Sequence, residues 1–306
     1  MDDTMPDNMP FEFANGWVND PEAVDAVVSQ LPYRSFADTP AHGFSEEMPD
    51  HCYLWDFAKK ATGALLPPVS QGQIGSCVSF GTNRAIEYTM CVQIAQKMTE
   101  EFHQIAQEVT YGGSRVEVGG GKLGRGDGSI GAWAAKFVKD WGVVARGTYG
   151  KYDLSKYNES TCREFGKSGV PSDLEAEAKK HPVKETVMVI NWEQAKKALV
   201  QGYGIAICSD QGFSMKRSEN GIAKASGSWA HCMSLAGWAT IGGEEYGRID
   251  NSWGPSAHTG PVGPGEPGPE GFYAHWKTID RMLGQKDSFA FSCVEGFPLR
   301  KIHWNI

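Results

Sequence analysis

An α+β architecture of two lobes, a helical first half and a β-rich second half facing each other across a cleft, is the fold class that this sequence predicts. Three observations lead there. Cys77, Phe80, Ile86, Met90, Ile94 and Met98 recur at helical spacing. A second helical pattern opens at Ser129 and carries Trp133, Phe137 and Trp141 four residues apart before Gly142 stops it. From residue 185 onward the character changes to short β-prone runs bounded by Gly, Ser or Asn, at 185–190, 204–209, 232–240, 246–250, 271–274 and 288–294.

The first helix is expected to begin at Cys77, with Gly81 a weak spot near its start. Ser129 is the expected N-cap of the second. Ser172-Asp173-Leu174-Glu175 after Pro171, and Asn191-Trp192-Glu193-Gln194 with Gly202 at the far end, each read as a capping box that opens a short helix. Residues 1–50 lack sustained periodicity and are expected to form an arm, with 31–50 extended and carrying little core of its own. The division is then arm at 1–50, helical lobe at 51–170 and β-rich lobe at 171–306.

With 306 residues, 41% hydrophobic and 22% charged, the chain has the composition of an ordinary folded protein with a sizeable core. A formal charge of −8, with Lys and Arg nowhere concentrated, excludes the footprint that nucleic-acid phosphates demand. The acidic start at Met1–Pro6 is unlike a secretory signal, and no run approaches the ~20 apolar residues that span a bilayer. The expected setting is cytoplasmic, or within a larger intracellular or virion assembly. Seven cysteines, spread and never spaced as CxxC, fit neither a zinc ribbon nor a disulfide scaffold; no metal or cofactor is expected. Cys91, Cys208, Cys232 and Cys293 read as small buried hydrophobes. His258 and His275 lack metal-ligand spacing and are expected on the surface or in loops, and Arg125-Gly126-Asp127 is a chance tripeptide.

Cys77 is the exception among the cysteines. It follows the Gly-containing turn Gln71–Ser76 and opens a helix, where unpaired amides and the helix dipole favour a thiolate over the ~8.5 of a free cysteine. His231, just before an apolar strand in the second half, can serve as its base. Asn251, 20 residues further on at the end of another strand, can accept the second ring N–H and fix the tautomer.

The order of Gln71-Gly72-x-x-Gly75-Ser76-Cys77, a His before a strand, and Asn251-Ser252-Trp253-Gly254 resembles the papain and cathepsin family of cysteine peptidases. His231 and Asn251 lie 154 and 174 residues after Cys77, slightly beyond the roughly 130–150 typical there, as loop insertions would produce. The resemblance covers about Leu54 to Cys293. It implies a papain-like fold and a polypeptide substrate hydrolysed through a thioester. It makes Cys77 the nucleophile, His231 the base and then acid, and Asn251 the orienting group. Gln71 would donate to the oxyanion hole, Trp253 would cover the Asn251–His231 bond, and Gly128-Ser129 would pair with substrate backbone.

There are departures. Ile74 stands where the family has the first Cys of a disulfide, Val78 where it has an aromatic residue, and Ser129 replaces a second glycine, which is expected to narrow the channel. Pro255–Gly271 is expected to be a loop restricting access at the cleft edge. Zymogens of the family shed a segment placed like the arm, so the arm either leaves the cleft open or blocks it. Two other readings stand beside the peptidase: an amidase or acyl transferase with the same nucleophile, and a structural or assembly protein, with protein partners, that keeps the fold.

Overall fold

The computed structural model describes residues 14–98 and 101–304; residues 1–13 of the expected arm lie outside the described residues. In chain order the elements are helix α1 (Pro21–Val28), strand β1 (His51–Tyr53), α2 (Leu54–Thr62), α3 (Cys77–Ala95), α4 (Gln107–Gly113), a π-helical turn at Ser114–Val118 and α5 (Gly131–Asp140). They continue with the hairpin β2 (Thr148–Tyr149) and β3 (Tyr152–Asp153), α6 (Glu159–Ser168), α7 (Ser172–Ala178), β4 (Glu185–Met188) and α8 (Trp192–Val200). The last are β5 (Ile205–Phe213), β6 (Ala225–Ile241), β7 (Glu244–Asp250), β8 (Gly271–His275), α9 (Trp276–Leu283) and β9 (Phe289–Ser292). The result is the mixed α+β class expected.

Seven of the strands form one antiparallel sheet in the order β4-β9-β5-β6-β7-β8, with β1 pairing Gly237–Ala239 of β6, and β2 and β3 pair apart from it. Two cores flank α3. One gathers the sheet with Trp55, Tyr88, Val92 and Trp238, and the other gathers α5 with Cys77, Ile86, Met90 and Phe137. Because both cores need it, α3 is buried all round from Cys77 to Gln93, not on a single face. Some of its polar groups are paired inside: Arg84 lies 3.4 Å from Glu87, and Glu87 accepts the Ile105 amide at 2.9 Å.

Gly81, the weak spot of the sequence pattern, has a packing purpose. A Cβ there would stand 2.8 Å from Cys232 Sγ and from the Met233 carbonyl oxygen. Only a glycine lets α3 lie this close to β6, the strand that carries His231 and whose Cys232 amide faces the Cys77 sulfur.

Two cap expectations change. Ser129 does not cap α5: the first amides, of Gly131 and Ala132, donate to the Asp287 carboxylate at 2.7 Å each. Ser172 opens α7 without a side-chain cap, whereas Asn191 caps α8 by accepting the Gln194 amide at 2.9 Å. Residues 31–50 also contribute more than expected, since Phe36, Ala41 and Phe44 are buried in the sheet-side core. No helix among the described residues is long and apolar enough to cross a membrane.

Candidate active site

Cys77 starts α3 and is fully buried. The backbone amides of Cys232, Val78 and Gly16 face its sulfur and favour the thiolate. Burial outweighs them and pushes the thiol well up, with Cys232 adding to the effect. The readily ionised thiol expected from the helix start is thus not found here, because water is excluded from the sulfur.

The residue before Cys232 is His231, at the buried stretch of β6. Its Nε2 lies 2.8 Å from Asn251 Oδ1. That oxygen can only accept, and it also receives the Ser252 amide at 2.7 Å, so the His231 proton sits on Nε2. Nδ1 has no hydrogen-bond partner among the described residues. Burial pushes the imidazole down to about 4, with the Asn251 bond pulling the other way, so it is neutral near pH 7. The Trp253 ring lies over it, centroids 4.5 Å apart and planes 30° from parallel.

His258 lies in a loop, one of the two settings expected, but is buried there rather than on the surface, and its Nε2 lies 3.1 Å from Asn251 Nδ2, which holds the amide with its oxygen toward His231. Burial, reinforced by Arg217 and Arg248, pushes His258 down to about 3, which leaves it a neutral acceptor. It belongs to the 255–271 loop, pinned by Arg217 on the Pro269, Gly260 and Gly271 carbonyls and by Arg248 on Gly268. His275, by contrast, is partly exposed and caps α9.

Gln71 is locked by Ser252, which donates its hydroxyl to Gln71 Oε1 at 2.7 Å and accepts the Gln71 amide at 2.9 Å. This leaves Gln71 Nε2 aimed at two carbonyls, Ile74 at 2.8 Å and Ala14 at 3.0 Å. The second belongs to the N-terminal arm. Trp253 Nε1 reaches the same Ala14 oxygen at 3.2 Å.

The arm therefore crosses the candidate site. Gly16 and Trp17 both donate to the Ala230 carbonyl at 2.9 Å, Val18 donates to Ser129 O at 2.9 Å, and Ser129 donates back to Gly16 O at 2.8 Å. Trp17 and Ser129 form a parallel bridge. Ser129 thus pairs with the chain's own N-terminal backbone, whereas Gly128 does not: its amide donates to the Tyr111 hydroxyl at 3.2 Å and its carbonyl accepts from Arg115. Arg115 fixes their loop by donating to the carbonyls of Gly124, Gly126, Gly128 and Gly166. The Ser129 hydroxyl is engaged with Ser114 at 2.8 Å, so it does not narrow the channel as expected.

Of the seven candidate residues, Gln71, Ser129 and Trp253 bond to this stretch of arm and Cys77 faces its Gly16 amide. His231 and Asn251 bond to each other, His231 following the Ala230 carbonyl that the arm engages. Gly128 is held by Tyr111 and Arg115, and among the described residues no hydrogen bond joins His231 Nδ1 to Cys77. The sequence reading missed His258 and Asp287. The Pro/Gly-rich loop around His258 gave a faint signal, whereas nothing local marked Asp287. All seven cysteines are free, and among the described residues no cluster of ligating side chains could hold a metal ion.

The model of the papain family cysteine proteases matches residues 53–260. No protein with curated annotation matches the sequence significantly. Among solved structures, the fold is similar to xylellain, a cysteine protease from Xylella fastidiosa (TM-score 0.54, 15% identity, 92% of each chain). It is also similar to a procathepsin B from Trypanosoma congolense (TM-score 0.57, 12% identity, 92% of this chain and 86% of that one). A digestive procathepsin L 3 from larval midgut of Tenebrio molitor is a third (TM-score 0.54, 13% identity, 89% and 78%). These likenesses show the fold, and the match over residues 53–260 shows the family: the chain belongs to the papain family of cysteine proteases.

Proposed function

We propose that the protein hydrolyses peptide bonds through Cys77, His231 and Asn251, and that the described state is a latent one with the arm in the substrate's place. One observation carries the reading: a peptide backbone already lies across Cys77 with the Ala14 carbonyl on the Gln71 side-chain amide. A substrate taking the arm's place offers its scissile carbonyl to the same donor.

Cys77 Sγ attacks the carbonyl carbon, and the thiol proton passes to His231 Nδ1, the ring nitrogen left free by the Asn251 bond. The oxygen, now negative, is held by Gln71 Nε2 and the Cys77 amide. His231 returns the proton to the leaving amine, giving a thioester. Water that loses a proton to His231 then releases the acid and restores the thiol. Asn251, held by Ser252 and His258, keeps the imidazole in the required tautomer.

A thiol-directed epoxide probe on the full-length chain, with Cys77→Ala as control, tests this reading. Selective labelling of Cys77 when the arm is loosened, together with hydrolysis of fluorogenic peptides, supports it. Labelling spread over the other cysteines with no hydrolysis supports the non-catalytic reading instead.

A further inference from the structure

Two further thiols stand behind Cys77. Cys208 on β5 and Cys232 on β6 lie in the same core, and all three are fully buried. Cys208 and Cys232 are directly opposite each other in the antiparallel pairing of β5 with β6. The Cys208 amide turns away from β6 and donates to Ser288 Oγ at 3.1 Å, beside β9. The two cysteines are therefore a non-hydrogen-bonded pair, the type whose Cα atoms approach to about 4.5 Å with both side chains on one face. A disulfide spans Cα separations of roughly 4.4–6.8 Å, so this pair can close with the strands where they are. The two side chains already interact.

Cys232 also reaches the candidate site. Its amide faces the Cys77 sulfur, and its own sulfur lies against Gly81, one turn along α3 from Cys77 on the same helix face. Cys77 in turn is close enough to act on Cys208. Packing asks only for small side chains at 208 and 232. It does not account for a thiol at both positions, in register, behind a third.

Resting on the arm leaving the cleft as above, we propose that Cys232 and Cys208 form a thiol relay that takes oxidising equivalents off Cys77, with a hydroperoxide as the oxidant. Hydrogen peroxide converts the Cys77 thiol to the sulfenic acid and leaves as water. The Cys232 sulfur then attacks the Cys77 sulfur; the hydroxide it displaces takes the Cys232 proton and departs as water, leaving a Cys77–Cys232 disulfide. Cys208 attacks Cys232 in its turn, Cys77 departs with the Cys208 proton, and a Cys208–Cys232 disulfide remains. Cys77 is a free thiol again, and the oxidised pair behind it is open to reduction by a dithiol. Burial keeps solvent from Cys208 and Cys232, so the oxidant reaches them through Cys77. Without the relay, the sulfenic acid goes on to a sulfinic acid that thiols do not reverse.

The test uses the full-length chain carrying Gly16→Ala, which sets a methyl group against the Gly75 carbonyl and so opens the arm. Hydrogen peroxide is added, free thiols are blocked with N-ethylmaleimide, and unreduced peptides are read by mass spectrometry. The main product should be a Cys208–Cys232 disulfide that dithiothreitol reverses, with Cys77 still a thiol. Adding Cys208→Ser should halt the relay at a Cys77–Cys232 disulfide. Adding Cys232→Ser should raise the rate of Cys77 sulfinic acid formation about tenfold or more, and adding Cys77→Ala should slow oxidation of the Cys208–Cys232 pair about tenfold or more.

A pair that oxidises as fast with Cys77→Ala, or Cys77 sulfinic acid that forms at one rate with and without Cys232, overturns the proposal. Should Cys232→Ser not fold, as circular dichroism would show, the Cys77→Ala and Cys208→Ser proteins decide. These masses need no peptide turnover. A Cys77 that iodoacetamide labels but peroxide joins to neither cysteine pair member counts against the relay, while a working relay without peptide hydrolysis counts against Cys77 catalysis.

Discussion

Gly16 is the point at which a single methyl group should unseat the arm. A Cβ built there stands 2.0 Å from the Gly75 carbonyl oxygen and 2.3 Å from its carbon, far inside the 3.4 Å at which ordinary contact begins. The obstacle is backbone, in the turn that leads into α3, and cannot swing aside as a side chain would. Gly16 is not among the glycines at positive φ, so Gly16→Ala introduces no torsional strain and acts through the collision alone. Overpacking of this kind costs about 1–3 kcal/mol, which shifts the open-to-closed balance roughly 5- to 150-fold. The closed state also stands to lose the paired bonds of Gly16 with Ala230 and Ser129. Site-resolved iodoacetamide labelling of full-length Gly16→Ala should therefore show Cys77 modified at least fivefold faster than in the parent, with peptide hydrolysis rising in parallel. Labelling at the parental rate with an unchanged melting temperature would refute the reasoning, since it would mean either that the arm does not cover the thiol or that the contact is not tight.

Three further outcomes are expected. Gln71→Ala should separate two readouts: removing the amide that holds Ala14 should speed Cys77 labelling, while kcat measured in the Gly16→Ala background should fall by ~10²–10³. Asn251→Ala leaves His231 Nε2 buried without its acceptor, so kcat/KM in the same background should fall about 10- to 100-fold, with the fold kept by circular dichroism. His258 is neutral when folded, with its pKa pushed down to about 3, and takes up a proton more readily once unfolded. Its contribution is fully present above the unfolded value of about 6.5 and is lost as pH falls from there toward 3. The stability of the parent relative to His258→Gln, from urea titrations at several pH values, should accordingly shrink by a few kcal/mol across that window; a pH-independent difference would contradict it.

The sequence made the candidate reacting groups legible because the signals that mark them are local. A cysteine opening a helix after Gln71–Ser76, a histidine before a strand and Asn251-Ser252-Trp253 each announce themselves within a few residues. The strands were legible for the same reason, although β5 and β6 run beyond the predicted 204–209 and 232–240 to Phe213 and back to Ala225. What was not legible depends on distant partners. Asp287 caps α5 from more than 150 residues away, so Ser129, the local candidate, looked like the cap. Phe36 and Phe44 reach the core from a stretch with no periodicity, because their burial is settled by neighbours far along the chain. His258 sits in a loop whose composition suggests exposure, yet two buried arginines fold that loop against Asn251. The thiol's ionisation was misjudged likewise, since the helix start is visible in sequence and the arm lying over the sulfur is not.

Intact-mass analysis of the Gly16→Ala protein during turnover of an activated peptide ester tests most directly whether Cys77 is the nucleophile served by His231. The account predicts an adduct of the acyl group's mass that maps to Cys77, builds up within the first turnover and is absent from Cys77→Ala. An adduct on another residue, or ester and peptide hydrolysis that survive Cys77→Ala, would contradict it.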